Sequence, residues 1–159
     1  MPGRTTPGGP EPAGEDPGLA APFRPRLARR VTLAVGAVFL TLTVVLVLVM
    51  PGLGPGDVVG FLLFGLLVAW FCWRQASVRA VPDADGLLVR NLIFTRRVTW
   101  AEIVSVRFGQ GRAWVQLDLA DGDTLAVMGV QRADGAFAEQ EARRMATLVA
   151  RRSRTARDD

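Results

Sequence analysis

The chain contains no lysine, histidine or tyrosine among its 159 residues, and all 19 basic residues are arginine. Schiff-base lysines, histidine general bases and the phosphate-binding lysine of nucleotide loops are therefore excluded as catalytic groups. The single cysteine, Cys72, cannot form an intramolecular disulfide or build a thiolate cluster for zinc or iron. These absences predict a protein that is not an enzyme and that holds no metal or cofactor.

Carboxylates are the acid–base groups that remain, and Asp118, Asp121 and Asp123 lie close together in the sequence. Acids in this pattern are typical of turns and of solvent-facing strand positions. We keep a carboxylate-based hydrolase or transferase only as a third hypothesis. The run Gly109-Gln110-Gly111 lacks the third glycine and the following helix of a nucleotide loop, and we expect a hairpin loop there.

Charge is distributed too evenly in the second half of the chain for a nucleic-acid-binding surface. The net charge of the whole chain is +4. Residues 74–150 carry ten arginines and nine acids, so this part is nearly neutral. Proteins that bind DNA or RNA usually concentrate basic residues on one face. We therefore expect no nucleic-acid partner.

The N-terminal stretch is poor in large apolar side chains. Its first 25 residues contain seven prolines and five glycines, with only Leu19 and Phe23 as large apolar residues after Met1. Such a segment cannot bury enough surface to offset the entropy of ordering, and its isolated PxxP matches are typical of the composition. We predict a disordered tail over residues 1–26 and a second flexible tail over residues 153–159.

The first long apolar run, residues 31–50, contains no charged side chain. Twenty helical residues at about 1.5 Å each reach about 30 Å, the thickness of the hydrocarbon core of a bilayer. A cleavable signal peptide is the alternative, but its apolar region is usually about 7 to 15 residues long and ends at small residues. Residues 48–51 offer no such cleavage site, so we predict a membrane span.

A second apolar run follows a loop that is rich in proline and glycine. It covers residues 58–73 without a charge and reaches about 24 Å as a helix, so its flanks must complete a span. Asp57 is placed to cap this helix, and the indole rings of Trp70 and Trp73 favour the membrane interface. A buried core helix is the alternative, but a chain of this length has no soluble domain large enough to enclose two such helices.

The two runs together predict a transmembrane hairpin over residues 27–75, with spans at residues 31–50 and 57–73. Arginines flank both outer ends of the hairpin and are absent from its loop: Arg24, Arg26, Arg29, Arg30, Arg74 and Arg79. Because an excess of arginine marks the cytoplasmic side, we expect a multi-pass protein of the cell membrane with both termini in the cytoplasm. Cys72 is expected to be a small buried hydrophobe rather than an acylation site.

Residues 76–152 alternate apolar and polar side chains in short runs separated by turn residues, which is the pattern of antiparallel strands. The clearest turn is Asp121-Gly122, which predicts a type I′ hairpin. After Asp134, which is expected to cap the last helix, apolar residues recur at helical spacing as far as Val149. The predicted fold class is a two-helix transmembrane hairpin followed by a small α+β domain, with an antiparallel sheet or open barrel of about six strands and a C-terminal helix.

One segment of this domain resembles a known family. Residues 90–103 read Arg-Asn-Leu-Ile-Phe-Thr-Arg-Arg-Val-Thr-Trp-Ala-Glu-Ile, and Val-Ser-Val-Arg-Phe follows. This sequence is similar to the small bacterial pleckstrin-homology-like (PH-like) domains, which occur in membrane-anchored actinobacterial proteins that include the low molecular weight protein antigen 6 group. The resemblance covers residues 74–152. It implies a PH-like barrel with a C-terminal helix and no assigned catalysis.

One turn departs from the eukaryotic PH domains that bind lipid. Those domains resemble one another in a basic first hairpin that holds inositol phosphates, whereas the corresponding residues 83–86 read Asp-Ala-Asp-Gly and would repel phosphate. The candidates left for lipid or partner contact are Arg96, Arg97, Arg107 and Arg112. A solvated strand face is the alternative interpretation of these arginines, and Trp100 and Trp114 are expected to pack within the domain.

Three functional hypotheses remain. In the first, a membrane-tethered, non-enzymatic PH-like module at the inner face of the cell membrane binds a protein partner or its own copy. In the second, the same module senses anionic lipid through Arg96 and Arg97, each of which would contribute about 1 kcal/mol near an anionic surface. In the third, the clustered carboxylates act in hydrolysis or group transfer. The lipid bilayer is an expected partner in the first two.

Overall fold

The computed structural model describes residues 18–109 and 111–158, with side chains described as far as Arg154. Two long helices come first, two three-stranded antiparallel sheets follow, and a third helix ends the described chain. The elements are α1 (Leu27–Val49), α2 (Pro55–Ala76), β1 (Arg79–Pro82), β2 (Gly86–Arg90), β3 (Thr95–Thr99), β4 (Ile103–Arg107), β5 (Trp114–Leu119), β6 (Thr124–Gln131) and α3 (Ala136–Asp158). This architecture confirms the predicted fold class.

Helices α1 and α2 form an antiparallel hairpin that packs through small residues. A Cβ atom added at Gly36 would lie 2.8 Å from the Cβ atom of Cys72, and one added at Gly65 would lie 3.0 Å from Cγ2 of Thr43. Small residues at these positions let the two backbones approach closely, as in helix pairs within membranes. Both helices are long and apolar enough to cross a membrane.

Asp57 caps the start of α2 through its side-chain oxygen as predicted, but it does so from the third helical position rather than from the residue before the helix. The backbone N–H of Gly54 donates to a carboxylate oxygen of Asp57 at 3.0 Å, and Pro55 occupies the first helical position. Proline suits this position because its missing N–H would have no partner inside the helix. Helix α2 therefore begins two residues before Asp57 and extends three residues beyond the predicted span.

The strands form two sheets, in the orders β1-β2-β3 and β4-β5-β6, and α3 packs over them. Alternate residues of β5 face the core, since Val115, Leu117 and Leu119 are all buried. Helix α3 contributes a buried apolar face to the same core: Ala138, Ala142, Met145, Leu148 and Val149. Because only one face of each sheet is covered, the strands show the alternation that the sequence displays.

A buried asparagine joins the two sheets. The side chain of Asn91 follows β2 and is 3% exposed. Its Nδ2 donates to the carbonyl of Ala126 at 2.7 Å, and its Oδ1 accepts from the N–H of Met128 at 3.1 Å. The amide thus pairs with the backbone of β6 as a short strand would, and it links the end of β2 in the first sheet to β6 in the second.

The segment before α1 belongs to the domain, which differs from the disordered tail predicted for residues 1–26. Phe23 is fully buried, and its backbone N–H and C=O pair with Ala80 of β1 at 2.8 and 3.0 Å. Gly129 of β6 permits this close approach, because an added Cβ there would lie 2.8 Å from the carbonyl oxygen of Phe23. The first seventeen residues of the predicted tail lie outside the described residues.

Two local predictions require correction. Asp134 does not cap α3 as predicted; its carboxylate accepts from the backbone N–H groups of Arg26 and Leu27 at 2.8 and 2.6 Å, at the start of α1. The Asp121-Gly122 turn is not type I′, because only Gly122 has a positive φ, of 88°. The N–H of Gly122 donates to the carbonyl of Leu119, which closes a type I turn. The glycine then forms the bulge of a hairpin loop longer than two residues.

Candidate interaction surfaces

The Trp-x-Glu part of the family-like segment fixes one end of the first sheet. Trp100 is buried, and its indole Nε1 donates to the carbonyls of Asp83 and Ala84 at 3.2 and 3.0 Å. Glu102 accepts from the N–H of Thr99 at 2.6 Å and from its hydroxyl at 2.9 Å. These bonds lower the pKa of Glu102, the backbone N–H being the larger cause. These contacts assign packing and turn-forming roles to Trp100 and Glu102.

Arg96 and Arg97 of β3, the two arginines predicted to contact lipid, form ion pairs with two different turns. Arg97 lies 2.7 Å from Asp83 and 3.6 Å from Asp85, in the turn between β1 and β2. Arg96 lies 3.4 Å from Asp121 and 3.5 Å from Asp123, in the turn between β5 and β6. Four carboxylates therefore surround two guanidinium groups, and the local charge is negative. This end of the domain does not present a basic patch.

The other two candidate arginines lie apart from this cluster. Arg107 of β4 forms an ion pair with Asp118 of β5, which also accepts from the hydroxyl of Ser105 at 2.5 Å. The Ser105 hydroxyl is the largest cause of a lowered pKa at Asp118, and Arg107 adds to it. Arg112 is half-buried in the loop before β5. The structure therefore does not gather the four predicted contact residues into one site.

The clustered acids and the glycine loop have structural roles. Asp121 and Asp123 lie in the β5–β6 turn, where Asp121 also accepts from the N–H of Asp123 at 2.9 Å. Over residues 18–109 and 111–158, no group of three metal-ligating side chains is arranged to hold an ion. The backbone N–H of Arg112 bonds to the carbonyl of Gly109, which gives the predicted hairpin loop between β4 and β5.

A groove runs between β4 and α3. Strand β4 is the outer strand of its sheet, so one of its backbone edges has no strand partner among residues 18–109 and 111–158. Two adjoining cavities of about 410 and 280 Å³ follow this edge and share Val106 and Ala146. Val104 stands 65% exposed at one end of the groove, and Phe108 lines the other. The alternating apolar residues of β4 and the C-terminal helix are both visible in the sequence, but the position of α3 beside β4, which makes the groove, is not.

A separate cavity lies where α1 meets the domain. It measures about 550 Å³ and is bounded by the segment before α1, the first turns of α1 and one face of α3. Its lining includes Arg24, Arg26, Arg29, Arg30, Leu33, Phe137, Glu141 and Arg144. In the sequence these N-terminal arginines indicate only membrane orientation, because their proximity to α3 depends on the tertiary fold.

Two small antiparallel sheets with a C-terminal helix across them define a PH-like domain, here preceded by a helical hairpin. Residues 77–147 match the family model described as bacterial PH domain. The chain belongs to this bacterial PH domain family.

Relatives occur in mycobacteria. Low molecular weight protein antigen 6 of Mycobacterium tuberculosis is 32% identical over 87 residues, which cover 45% of this chain and 77% of that protein. The uncharacterised protein Rv1417 of the same organism is 37% identical over 78 residues, 49% of this chain and 51% of that protein. The chain thus spans about half the length of Rv1417. No solved structure matches the chain significantly.

Proposed function

We propose that this chain tethers a non-enzymatic PH domain to the inner face of the cell membrane. There the domain binds an extended segment of a partner protein in the groove between β4 and α3. The observation that carries this proposal is the outer edge of β4, which pairs with no described strand, beside a groove lined by apolar side chains and arginines. An added strand satisfies such an edge with backbone hydrogen bonds, while pockets for its side chains provide specificity.

The two apolar helices support the tether. Each is long and apolar enough to span a bilayer, and their outward leucines are exposed, as at Leu42, Leu48 and Leu63. In water this surface would favour aggregation, whereas lipid chains would cover it. The arginines that flank the hairpin, against none in its loop, orient both termini toward the cytoplasm.

An apolar turn near the helices supports a domain that lies against the bilayer. Arg90 at the end of β2 is paired with Arg79, which follows α2 closely. The next turn therefore extends toward the end of the domain that adjoins the hairpin. It carries Ile93 and Phe94, which are 76% and 64% exposed. Exposed large apolar residues at this place suit contact with the interfacial region of a membrane.

The charges along the groove indicate the chemistry of the partner. Three arginines and one glutamate line the two cavities: Arg132, Arg143, Arg154 and Glu139. Glu139 lies 3.3 Å from Arg143 and neutralises it. The remaining charge is positive, so we expect a partner segment in which apolar residues alternate with acidic ones.

The test is capture of partners from cells with the full chain in mild detergent. Ala146→Glu places a bulky negative side chain in the groove, whereas Thr147→Glu makes the same change in charge on the neighbouring exposed position outside it. We expect a partner that Thr147→Glu retains and that Ala146→Glu loses, at about tenfold lower recovery. Equal recovery by both variants, or by a chain without residues 76–152, would contradict the proposal.

Lipid sensing through Arg96 and Arg97 has no supporting observation. Both side chains are engaged by carboxylates of the neighbouring turns. An anionic head group would have to displace these acids and then lie among them. The same end of the domain therefore disfavours phosphate.

A further inference from the structure

We propose that the cavity at the base of α1 binds the phosphate head group of an anionic phospholipid. This cavity is bounded by the segment before α1, the first turns of α1 and the face of α3 that carries Phe137 and Arg144. The inference rests on the proposed insertion of the hairpin into the membrane. It concerns a surface remote in sequence from Arg96 and Arg97.

The cavity has an excess of unpaired positive charge. Four arginines line it from the α1 side: Arg24, Arg26, Arg29 and Arg30. Across the described part of the chain, none of the four takes part in an ion pair. Among the described lining residues Glu141 is the one acid, and Arg144 already holds it at 2.6 Å. Guanidinium groups in this number favour a phosphate, whose oxygens they can contact in pairs.

The walls of the cavity are held in place by contacts on three sides. Arg144 donates to the carbonyls of Gly18 and Ala21 at 2.7 and 2.9 Å, and its guanidinium lies 3.9 Å from the ring centroid of Phe23. The guanidinium of Arg26 lies 3.9 Å from the ring centroid of Phe137. A site held in this way loses little conformational entropy when it binds a ligand.

The position along α1 identifies a lipid rather than a soluble phosphate. Arg29 and Arg30 come directly before the uncharged stretch that begins at Val31, so they lie at head-group depth when the hairpin is inserted. Leu33, one helical turn further, also lines the cavity. A phospholipid would place its phosphate among the arginines and its acyl chains along the apolar surface beyond Leu33. The volume of about 550 Å³ suits a head group.

The test uses the full chain in nanodiscs made from equal parts of phosphatidylglycerol and phosphatidylcholine. Lipids that remain bound after extraction into mild detergent are identified by native mass spectrometry. The variant Arg29→Gln/Arg30→Gln is compared with Arg96→Gln/Arg97→Gln, which removes two neighbouring arginines from the other end of the domain. We expect the first variant to reduce the ratio of retained phosphatidylglycerol to phosphatidylcholine about tenfold and the second to leave it unchanged.

Equal ratios in the wild type and both variants, or equal losses in both variants, would overturn the assignment. Excess glycerol phosphate and inorganic phosphate are added in separate arms; displacement of the lipid by either at millimolar concentration would identify a soluble phosphate site instead. Both pairs of substitutions fall on solvent-accessible side chains, and unchanged thermal unfolding confirms that the variants fold. Incorporation into nanodiscs is scored first, because failure at that step contradicts the membrane tether, whereas incorporation without lipid preference contradicts only this inference.

Discussion

Two groups of arginines, one on the strands and one at the base of α1, have opposite surroundings. Arg96 and Arg97 lie within 3.6 Å of four carboxylates in two neighbouring turns. Arg29 and Arg30 line a cavity in which the one acid that the structure describes, Glu141, is bound to another arginine. Both groups are adjacent arginine pairs in the sequence, so residue type alone does not distinguish them. The difference teaches that the neighbours supplied by the fold decide whether an arginine is available to a ligand.

Truncating Phe23, which anchors the segment before α1 in the core, should have the largest effect on the stability of the domain. Phe23 is fully buried, so Phe23→Ala should lower the free energy of unfolding by about 3 to 5 kcal/mol through lost burial and a cavity. It should also raise amide exchange at position 23 and at Ala80, because the N–H group of each donates to the carbonyl of the other and the segment loses its anchor. Chemical unfolding in detergent and hydrogen exchange measure the two effects.

The control for this change is Ile93→Ala, because Ile93 is 76% exposed. We expect it to change the free energy of unfolding by less than about 0.5 kcal/mol. If Phe23→Ala were as mild as this control, the segment before α1 would not be part of the domain core. The two arginine groups would then differ less than described above.

The cap of α1 offers a smaller perturbation of the same region. Asp134→Ala removes the acceptor of two backbone N–H groups at the start of α1, and we expect a loss of about 1 kcal/mol. Protection of the Arg26 and Leu27 amides from hydrogen exchange should fall. Glu139→Ala, at an exposed ion pair on α3, serves as the control. A result in which both changes are equally silent would contradict the capping role.

Low pH should destabilise the domain through Glu102 and Asp118, whose pKa values the fold lowers. The pKa of Glu102 is lowered by the Thr99 N–H, and that of Asp118 by the Ser105 hydroxyl. A carboxyl whose folded pKa is below its unfolded value stabilises the fold above the unfolded pKa and loses this effect as pH falls through the folded pKa. The thermal unfolding temperature should therefore decrease as the pH is lowered below about 4.5.

Glu102→Gln should make the unfolding temperature less dependent on pH in the acid range, because the glutamine amide does not titrate. The same variant should leave the lipid ratio of the nanodisc experiment unchanged, since Glu102 is outside the lining of the α1 cavity. If the unfolding temperature of the variant decreased with falling pH as strongly as that of the wild type, other groups would control the pH dependence.

The smallest expected effect concerns the strand arginines themselves. Arg97 and Asp83 are both partly exposed, and exposed ion pairs typically contribute about 0 to 1 kcal/mol. Arg97→Gln should lower the free energy of unfolding by less than about 1 kcal/mol, and added salt should reduce the difference. A loss of several kcal/mol would mean that the acid-rich turns depend on this arginine for folding.

Much of the architecture could be predicted because it depends on local patterns. Uncharged runs of span length predict α1 and α2, and period-two alternation predicts the face of β5 that carries Val115 and Leu117. The cap at Asp57 was also predictable, because a carboxylate beside a Pro-Gly loop is a local signal. These features need no knowledge of distant contacts.

The interaction surfaces depend on contacts between residues far apart in the sequence. The ion pair of Arg96 with Asp121 joins residues 25 positions apart, and Asp134 meets Leu27 across 107 positions. No local pattern reports such pairings, so the sequence predicts that Asp134 caps the helix nearest to it in the chain. The burial of Phe23 could not be predicted for a related reason. The composition of the proline-rich segment as a whole predicts disorder, and it gives no sign that a distant strand buries one aromatic residue within it.

The central claim is that the domain lies on the cytoplasmic side behind an inserted hairpin, and cysteine labelling tests it directly. A Cys72→Ala chain carries a new cysteine at Gln140, an exposed position on α3. Intact cells are treated with a membrane-impermeant thiol reagent and compared with lysed cells. The account predicts protection in intact cells and full labelling after lysis. Labelling of intact cells would place the domain outside and contradict the account.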